Sequence, residues 1–509
     1  MDGDRVWVRG EVTGVPERAK EAVFETKGRE EREEGAGERS TVAAAASLLS
    51  AVLPSQLRPR SVSSQPRPMT KVARSGPVVS RRSLLRGVLA ASVAPLVVPA
   101  RVLGRGGGVA PSNRIALGGI GIGPRGRMVL SSMLPERDVQ YVATCDVQAA
   151  LRTSVKELAD AHYGNRDCAT YRDLRELLAR PDLDAVLIAT GDRWHALASI
   201  LAAKAGKDVY SEKPCGITIG LCQAVDDTMR RTGRVFQAGT QRRNVPNFEF
   251  AAHLARSGRL GRLHTMHASI YQLECNYSWL PAEPEPPRDE IDWDLWLGPA
   301  PWRPFNRSYV VDRRWRGYYD FDSGAKLLDW GAHTVDICQW ANGADDTAPV
   351  EYEPEGGRVH ASYANGVRLI LRPDGWIGQP PAGGTGNFAV GSTGTCPVRF
   401  EGDEGWVETG DNGSIELHPA SLRAEWRAFT MRGTDPARHT REFLDCVKSR
   451  GRPAANGSVM RHSHIACHAA AIAWMLGRKV RFDPKREEFI GDPEANRMRS
   501  RALREPWRI

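Results

Sequence analysis

Apolar and polar positions fall into a repeating order from Asn113 onward. Ile115-Ala116-Leu117 is a short apolar run that reads as a buried strand. Gln140–Cys145 reads as a second strand, and Leu183–Thr190, almost wholly apolar, as a third with both faces covered, as in a parallel sheet. Leu197, Ile200, Leu201 and Lys204 recur at helical spacing and predict a helix over Trp194–Ala205. Asp208–Ser211 and Val235–Gly239 read as further short strands. Strand and helix alternate throughout this stretch, which predicts βαβ units around a parallel sheet. After residue 350 the texture changes to several short strands, among them Gly366–Arg372 and Val398–Glu401, with a Gly/Pro-rich loop between Gly375 and Gly394. A helix with an apolar face is predicted over Ala466–Leu476.

The residues before Asn113 read differently. Positions 1–68 show no apolar period and carry a charge run (Lys27–Arg39) and a Ser/Pro/Arg-rich stretch (Ser55–Pro68). They read as a disordered or non-native extension, with Met69 as the expected start. Ser80-Arg81-Arg82-Ser83-Leu84-Leu85 then leads into an apolar run from Gly87 to Ala100. Paired arginines before a short apolar segment resemble a twin-arginine export signal. Such a run is shorter than the roughly 20 residues a membrane span needs. The expected organisation is therefore an extension (1–68), a signal and linker (69–110), a dinucleotide-binding domain (111–242) and a second domain (243–509). The expected location is periplasmic or otherwise exported, with no stable membrane span after processing.

Composition sharpens this in two places. The 509 residues carry a formal charge of +9, but ten Lys or Arg and no Asp or Glu fall between Thr41 and Asn113. The rest of the chain is close to neutral, so charge gives no support for a nucleic-acid partner. The nine cysteines include no CxxC pair and read as small buried hydrophobes, with no disulfide framework and no zinc site.

The candidate chemistry begins where the first strand ends. Asn113–Leu130 reads NRIALGGIGIGPRGRMVL and contains Gly121-x-Gly123-x-x-Gly126. The first glycine permits the tight turn, the second lets backbone approach a pyrophosphate, and the third lets the following helix pack close to the strand. The helix N-terminus then offers N–H groups to the phosphates. Asp146, twenty residues after Gly126, closes the second strand where a carboxylate can bind ribose hydroxyls. Its charge favours NAD over NADP, although Arg152 could face a 2′-phosphate. NAD is the expected cofactor and NADP the alternative.

Three further motifs follow in order: Thr190-Gly191-Asp192-Arg193-Trp194-His195, Ser211-Glu212-Lys213-Pro214, and Ser323–Asp336 with its DWGAHTVD core. Together with the glycine turn they resemble the Gfo/Idh/MocA family of sugar and cyclitol oxidoreductases, from roughly Asn113 to Ile509. The resemblance implies a Rossmann domain followed by an α+β domain with a large open, mostly antiparallel sheet. It implies that Lys213 lies beside the nicotinamide and the reacting carbon, and that Glu212 lies near the nicotinamide ribose. Thr190 and His195 fit cofactor-side positions, and His195 fits a structural hydrogen bond equally well. Gly191 and Arg193 depart from the family, which usually has Pro and often His there. If the third motif is helical, Asp329 and His333 stand at i,i+4 on one face, where Asp329 can orient His333 as a proton acceptor. A homo-oligomer is implied by the resemblance alone.

Gln241, Arg242 and Arg243 are candidates at the domain junction, Gln241 on the cofactor side. Trp279, Trp293, Trp296, Trp302 and Trp315, interleaved with Arg303, Arg307, Arg316, Tyr309, Tyr318 and Tyr319, suit either sugar stacking or a core. His462, His464, Cys467 and His468 crowd one segment, where packing is expected rather than metal. The expected function is an exported NAD(P)-dependent oxidoreductase acting on a sugar or cyclitol hydroxyl, with Lys213, Asp329 and His333 catalytic. The rivals are a glycosidase that oxidises its sugar transiently and a carbohydrate-binding protein without turnover.

Overall fold

The computed structural model describes residues 109–373, 376–377, 391–425 and 433–509. Met69, the Ser80–Leu85 motif, the Gly87–Ala100 run and most of the Gly375–Gly394 loop lie outside them. The first six strands are β1 (Ile115–Ile120), β2 (Val139–Cys145), β3 (Ala169–Tyr171), β4 (Ala185–Ile188), β5 (Asp208–Ser211) and β6 (Phe236–Ala238). They pair in parallel in the order β3-β2-β1-β4-β5-β6. The chain reverses direction across the sheet between β1 and β4, so a crevice opens at the carboxyl ends of those two strands. Helices α1 (Pro124–Met133), α2 (Ala149–Tyr163), α3 (Leu174–Leu178), α4 (Asp192–Lys204) and α5 (Ile219–Thr232) make the crossovers. β4 is shorter than its apolar run because the ends turn to other work: Asp184 accepts a hydrogen bond from the Ala116 N–H at 2.8 Å, and Thr190 enters the crevice.

The second half is built on nine strands. These are β7 (Leu263–Ser269), β8 (Glu351–Glu355), β9 (Arg358–Ser362), β10 (Arg368–Arg372), β11 (Val398–Gly402), β12 (Gly405–Thr409), β13 (Ile415–His418), β14 (Val480–Asp483) and β15 (Glu488–Phe489). Their order is β13-β12-β11-β7-β10-β9-β8-β14-β15, and only β7 and β10 pair in parallel. This is the open, mostly antiparallel sheet expected. Helices α6 (Pro246–Arg256), α7 (Leu327–Ala341) and α9 (Gly457–Leu476) cover it through a core that includes Phe248, Leu328, Val335, Phe400 and Ile465. α9 starts well before the expected Ala466, because the Asn456 side chain caps it by accepting from the Ser458 N–H at 3.1 Å.

Packing crosses the boundary near residue 242. Helix α8 (Ala437–Ser449), far down the chain, places Phe443, Leu444 and Val447 among Leu117, Tyr141, Leu187 and Tyr210 of the first sheet. Met460 of α9 joins the core on the other side. The late helices thus close both faces of the first sheet and fix its crevice against α7. The tryptophan-rich stretch makes a core of its own: Trp293, Trp296 and Trp315 are buried with Tyr309 and Phe321, while Trp279 and Trp302 are exposed. All nine cysteines are free thiols, and among the described residues no helix is long and apolar enough to cross a membrane.

Candidate active site

The glycine turn does what its spacing asks. Gly121 has a φ of +70°, and a Cβ there would come within 2.4 Å of the Thr190 methyl. At Gly126 a Cβ would meet that of Ala189 at 2.8 Å, so only glycine lets α1 sit this close to the end of β4. Gly123 has open space on the side where a Cβ would stand. No side chain caps α1, whose N-terminal dipole faces the crevice. The Gly121 N–H donates to Cys145 O at 2.8 Å, which sets Asp146 beside the turn. Burial pushes the Asp146 carboxyl up to about 6, against the pull of the Gln148 N–H and Arg152. Arg152 turns back, donating to the backbone carbonyl of Asp146 at 2.6 Å and approaching Asp289 O, so it is engaged and does not wait for a 2′-phosphate. An open second glycine, an uncapped helix start and a buried carboxyl beside the turn fit a dinucleotide with free ribose hydroxyls.

Beyond this crevice lies a cavity of about 270 Å³. Its walls include Thr190, Asp192, His195, Glu212, Lys213, Gln241, Arg242, Arg316, Asp329, Trp330 and His333. β4 and β5 deliver Thr190 and Lys213 from one side, and the first two turns of α7 deliver Asp329 and His333 from the other. The chain enters α7 through Gly324, Ala325 and Lys326, all at positive φ, and the latter two are not glycine. Asp322 holds this strained entry by accepting from the N–H groups of Gly317 (3.0 Å) and Lys326 (2.7 Å). Burial, with Asp192 and Asp329 nearby, pushes the Asp322 carboxyl up to about 7.

Lys213 donates to the Asp329 Oδ1 at 2.9 Å and also to the Asp329 carbonyl, and its peptide to Pro214 is cis. Arg316 Nε reaches the other oxygen, Oδ2, at 3.0 Å. Burial alone would raise the Asp329 carboxyl, but Lys213 and Arg316 overcome it and hold the group at about 2. The expectation that Asp329 orients His333 is therefore corrected: its two oxygens serve two cations. His333 shares the helix face but its Nδ1 is buried with no hydrogen-bond partner. Burial, with Arg242, Lys213 and Arg125 around it, holds the imidazole well below its usual pKa, so it is neutral at neutral pH.

Four cations and three carboxylates thus line one small cavity. Arg242 is held by a two-pronged pair with buried Asp411, at 3.1 and 2.7 Å. Gln241 contributes an unpartnered, buried Oε1. Arg243 does not face the cavity; it is tied to Asp336 and Asp345. His195 bridges the β4 and β5 loops: its Nδ1 stands 2.9 Å from Pro214 O and its Nε2 3.0 Å from Thr190 O, and a ring N–H donates to the carbonyl it faces. The departures at Gly191 and Arg193 explain each other. Arg193 stacks 3.5 Å from the Trp296 ring and donates to Trp296 O at 2.9 Å, and a Cβ on Gly191 would lie 2.5 Å from its guanidinium.

Sequence reasoning missed Arg125, Asp192 and Thr434, and placed Arg316 only among the aromatics. Arg125 stands inside the glycine motif and Asp192 inside the second motif, so a signal was present for both. None existed for Thr434. None of the five tryptophans singled out lines the cavity; Trp330 does. On α9, His464 Nδ1 donates to Met460 O at 2.8 Å and His468 Nε2 to Gly216 O at 3.0 Å. Among the described residues no three His, Cys, Asp or Glu side chains converge as a metal site.

Residues 114–240 match the oxidoreductase family's NAD-binding Rossmann fold, and residues 261–374 and 400–509 match its C-terminal alpha/beta domain. The chain belongs to the Gfo/Idh/MocA oxidoreductase family. It carries that family's NAD-binding domain. A 1-carboxy-3-chloro-3,4-dihydroxycyclohexa-1,5-diene dehydrogenase of Comamonas testosteroni is 30% identical over 156 residues, 30% of this chain and 38% of that protein. A glycosyl hydrolase family 109 protein of a Shewanella species (strain W3-18-1) is 33% identical over 121 residues, 23% of this chain and 26% of that one. The chain therefore matches well under half the length of these two relatives. The crystal structure of GenD2 from gentamicin A biosynthesis, in complex with NAD, shares the fold with a TM-score of 0.52 at 17% identity, over 74% of this chain and 98% of that one.

Proposed function

We propose that this oxidoreductase acts on a secondary hydroxyl of a sugar or cyclitol, with Lys213, Asp329 and His333 as its reacting side. The observation that carries this reading is the Lys213–Asp329 pair at 2.9 Å in a cavity that opens from the dinucleotide crevice. Bound NAD supplies the hydride acceptor. Asp329, ionised at any ordinary pH, is too weak a base to take the substrate proton and serves as the fixed counter-ion of Lys213 and Arg316. The Lys213 ammonium stabilises the alkoxide that develops on the substrate oxygen. His333, neutral and with an open Nδ1, accepts a hydrogen bond from the reacting hydroxyl and takes its proton as the hydride leaves. Gln241 Oε1 offers a second acceptor. The cavity's size and polar walls suit one sugar ring.

A second reading, redox-assisted cleavage of a glycoside, draws support from the 121-residue stretch of likeness to the family 109 glycosyl hydrolase. The export motif favours either reading with NAD held through each turnover, because no soluble nicotinamide pool is expected outside the cytoplasm. The test is a panel of sugars, cyclitols and aryl glycosides offered to NAD-loaded protein. Accumulating keto product marks the dehydrogenase, and glycoside hydrolysis without added NAD marks the glycosidase. Neither activity on any member overturns the proposal.

A further inference from the structure

We propose that Arg125 and Glu212 form a clasp that retains the dinucleotide, an inference that rests on the NAD-dependent reading above. Arg125 lies between the second and third glycines, in the first turn of α1. Its Nε donates to Glu212 Oε1 at 2.9 Å. Glu212 follows β5, and β4 lies between β1 and β5 in the sheet. The bond therefore crosses the carboxyl end of β4, above Ala189 and Thr190. The phosphate-binding turn stands on one side of that crossing and Lys213 on the other. A dinucleotide with its phosphates at α1 and its nicotinamide at Lys213 has to lie along this line.

The two halves of the pair differ in how firmly their surroundings hold them. Glu212 is fixed: its N–H donates to Ile188 O at 2.8 Å, its side chain is 6% exposed, and a Cβ on Gly239 would fall within 2.8 Å of its carboxylate. The Arg125 side chain is 35% exposed and reaches in from the solvent side. Its remaining contact is a light one, from Nη1 to the Met128 sulfur at 3.1 Å. Arg125 is thus the half that swings, and Glu212 the post it closes on. Arg125 is a positioning residue here; it acts on the cofactor through its bond to Glu212.

The test is the dissociation rate of NADH from the full-length protein, read by loss of nicotinamide fluorescence on displacement with excess NAD. Arg125→Met is expected to speed release about tenfold, the scale of a lost charge-assisted hydrogen bond. Arg125→Lys, which keeps the charge, is expected to stay close to the parent. In a Glu212→Leu background, which has no acceptor for the guanidinium, the Arg125→Met change is expected to add little. An unchanged rate in Arg125→Met overturns the clasp. So does an equal acceleration in both backgrounds, which would assign Arg125 to the phosphates alone. Failure of the unmutated protein to bind NADH strikes the NAD-dependent reading itself and is seen before any variant is compared.

Discussion

The Asp329 carboxylate stands 2.9 Å from the Lys213 ammonium, and this contact joins the two halves of the protein at the reacting end of the cavity. Lys213 comes from the parallel sheet and Asp329 from the helix that packs on the open sheet. A lysine held this way is pinned in the cavity wall, where the proposed reaction places the substrate oxygen. Replacing it by methionine is expected to lower turnover by about a hundredfold or more while leaving NAD affinity within a few fold. Steady-state rates and a fluorescence titration with NADH separate the two effects.

The same contact has a signature in acid. The carboxyl is ordinary at 3.8 when unfolded and about 2 when folded. A depressed carboxylate contributes stability that is full above the unfolded value and fades as pH falls through the folded one. The contribution is on the order of 2 kcal/mol above pH 5, because one unit corresponds to about 1.4 kcal/mol. Asp329→Asn is expected to melt at a lower temperature at pH 6 and to lose less than the parent between pH 5 and pH 2.5. Equal losses across that window in both proteins would contradict the pairing.

His333 makes the opposite prediction for activity. Burial and three neighbouring cations hold its pKa well below 6.5, so it does not titrate between pH 6 and 8. The unfolded chain binds a proton near 6.5 that the folded site refuses, so this group's stability is full above 6.5 and declines as pH falls below it. The profile of kcat/KM is expected to lack a histidine inflection near 6.5 that disappears in His333→Asn. A shared inflection removed by that substitution would show the imidazole to be charged in the working range.

Much of this architecture was legible in the chain itself. The glycine spacing, the apolar strands and Asp146 located the crevice because each depends on local backbone and period. Lys213 and the α7 motif were legible as residues, but their pairing was not. Helical spacing placed Asp329 beside His333, and nothing local could report that Lys213 and Arg316 arrive from elsewhere in the chain to claim both oxygens. Arg316 was hidden for the same reason, because the turn that presents it depends on Asp322 bonding to Gly317 and Lys326. What the division at residue 242 could not show is α8, whose apolar face fits the first sheet although its sequence lies in the second half.

Gly191 and Arg193 offer a test of that long-range logic. A methyl group on Gly191 would press into the Arg193 guanidinium, itself pinned against Trp296. Gly191→Ala is expected to cost about 1–3 kcal/mol, the range for an overpacked buried site. In an Arg193→Ala background the same change is expected to cost less than about 1 kcal/mol. Denaturant melts of the four proteins measure the coupling, and additive costs would contradict the contact.

The most direct measurement of the central claim is nicotinamide absorbance near 340 nm in the NAD-loaded protein as sugars, cyclitols and glycosides are added, with no free cofactor present. The account predicts that at least one of them raises the band within a single turnover, and that Lys213→Met loaded to the same extent shows no rise on that timescale. A band that never appears with any of them, or that appears equally in Lys213→Met, contradicts it.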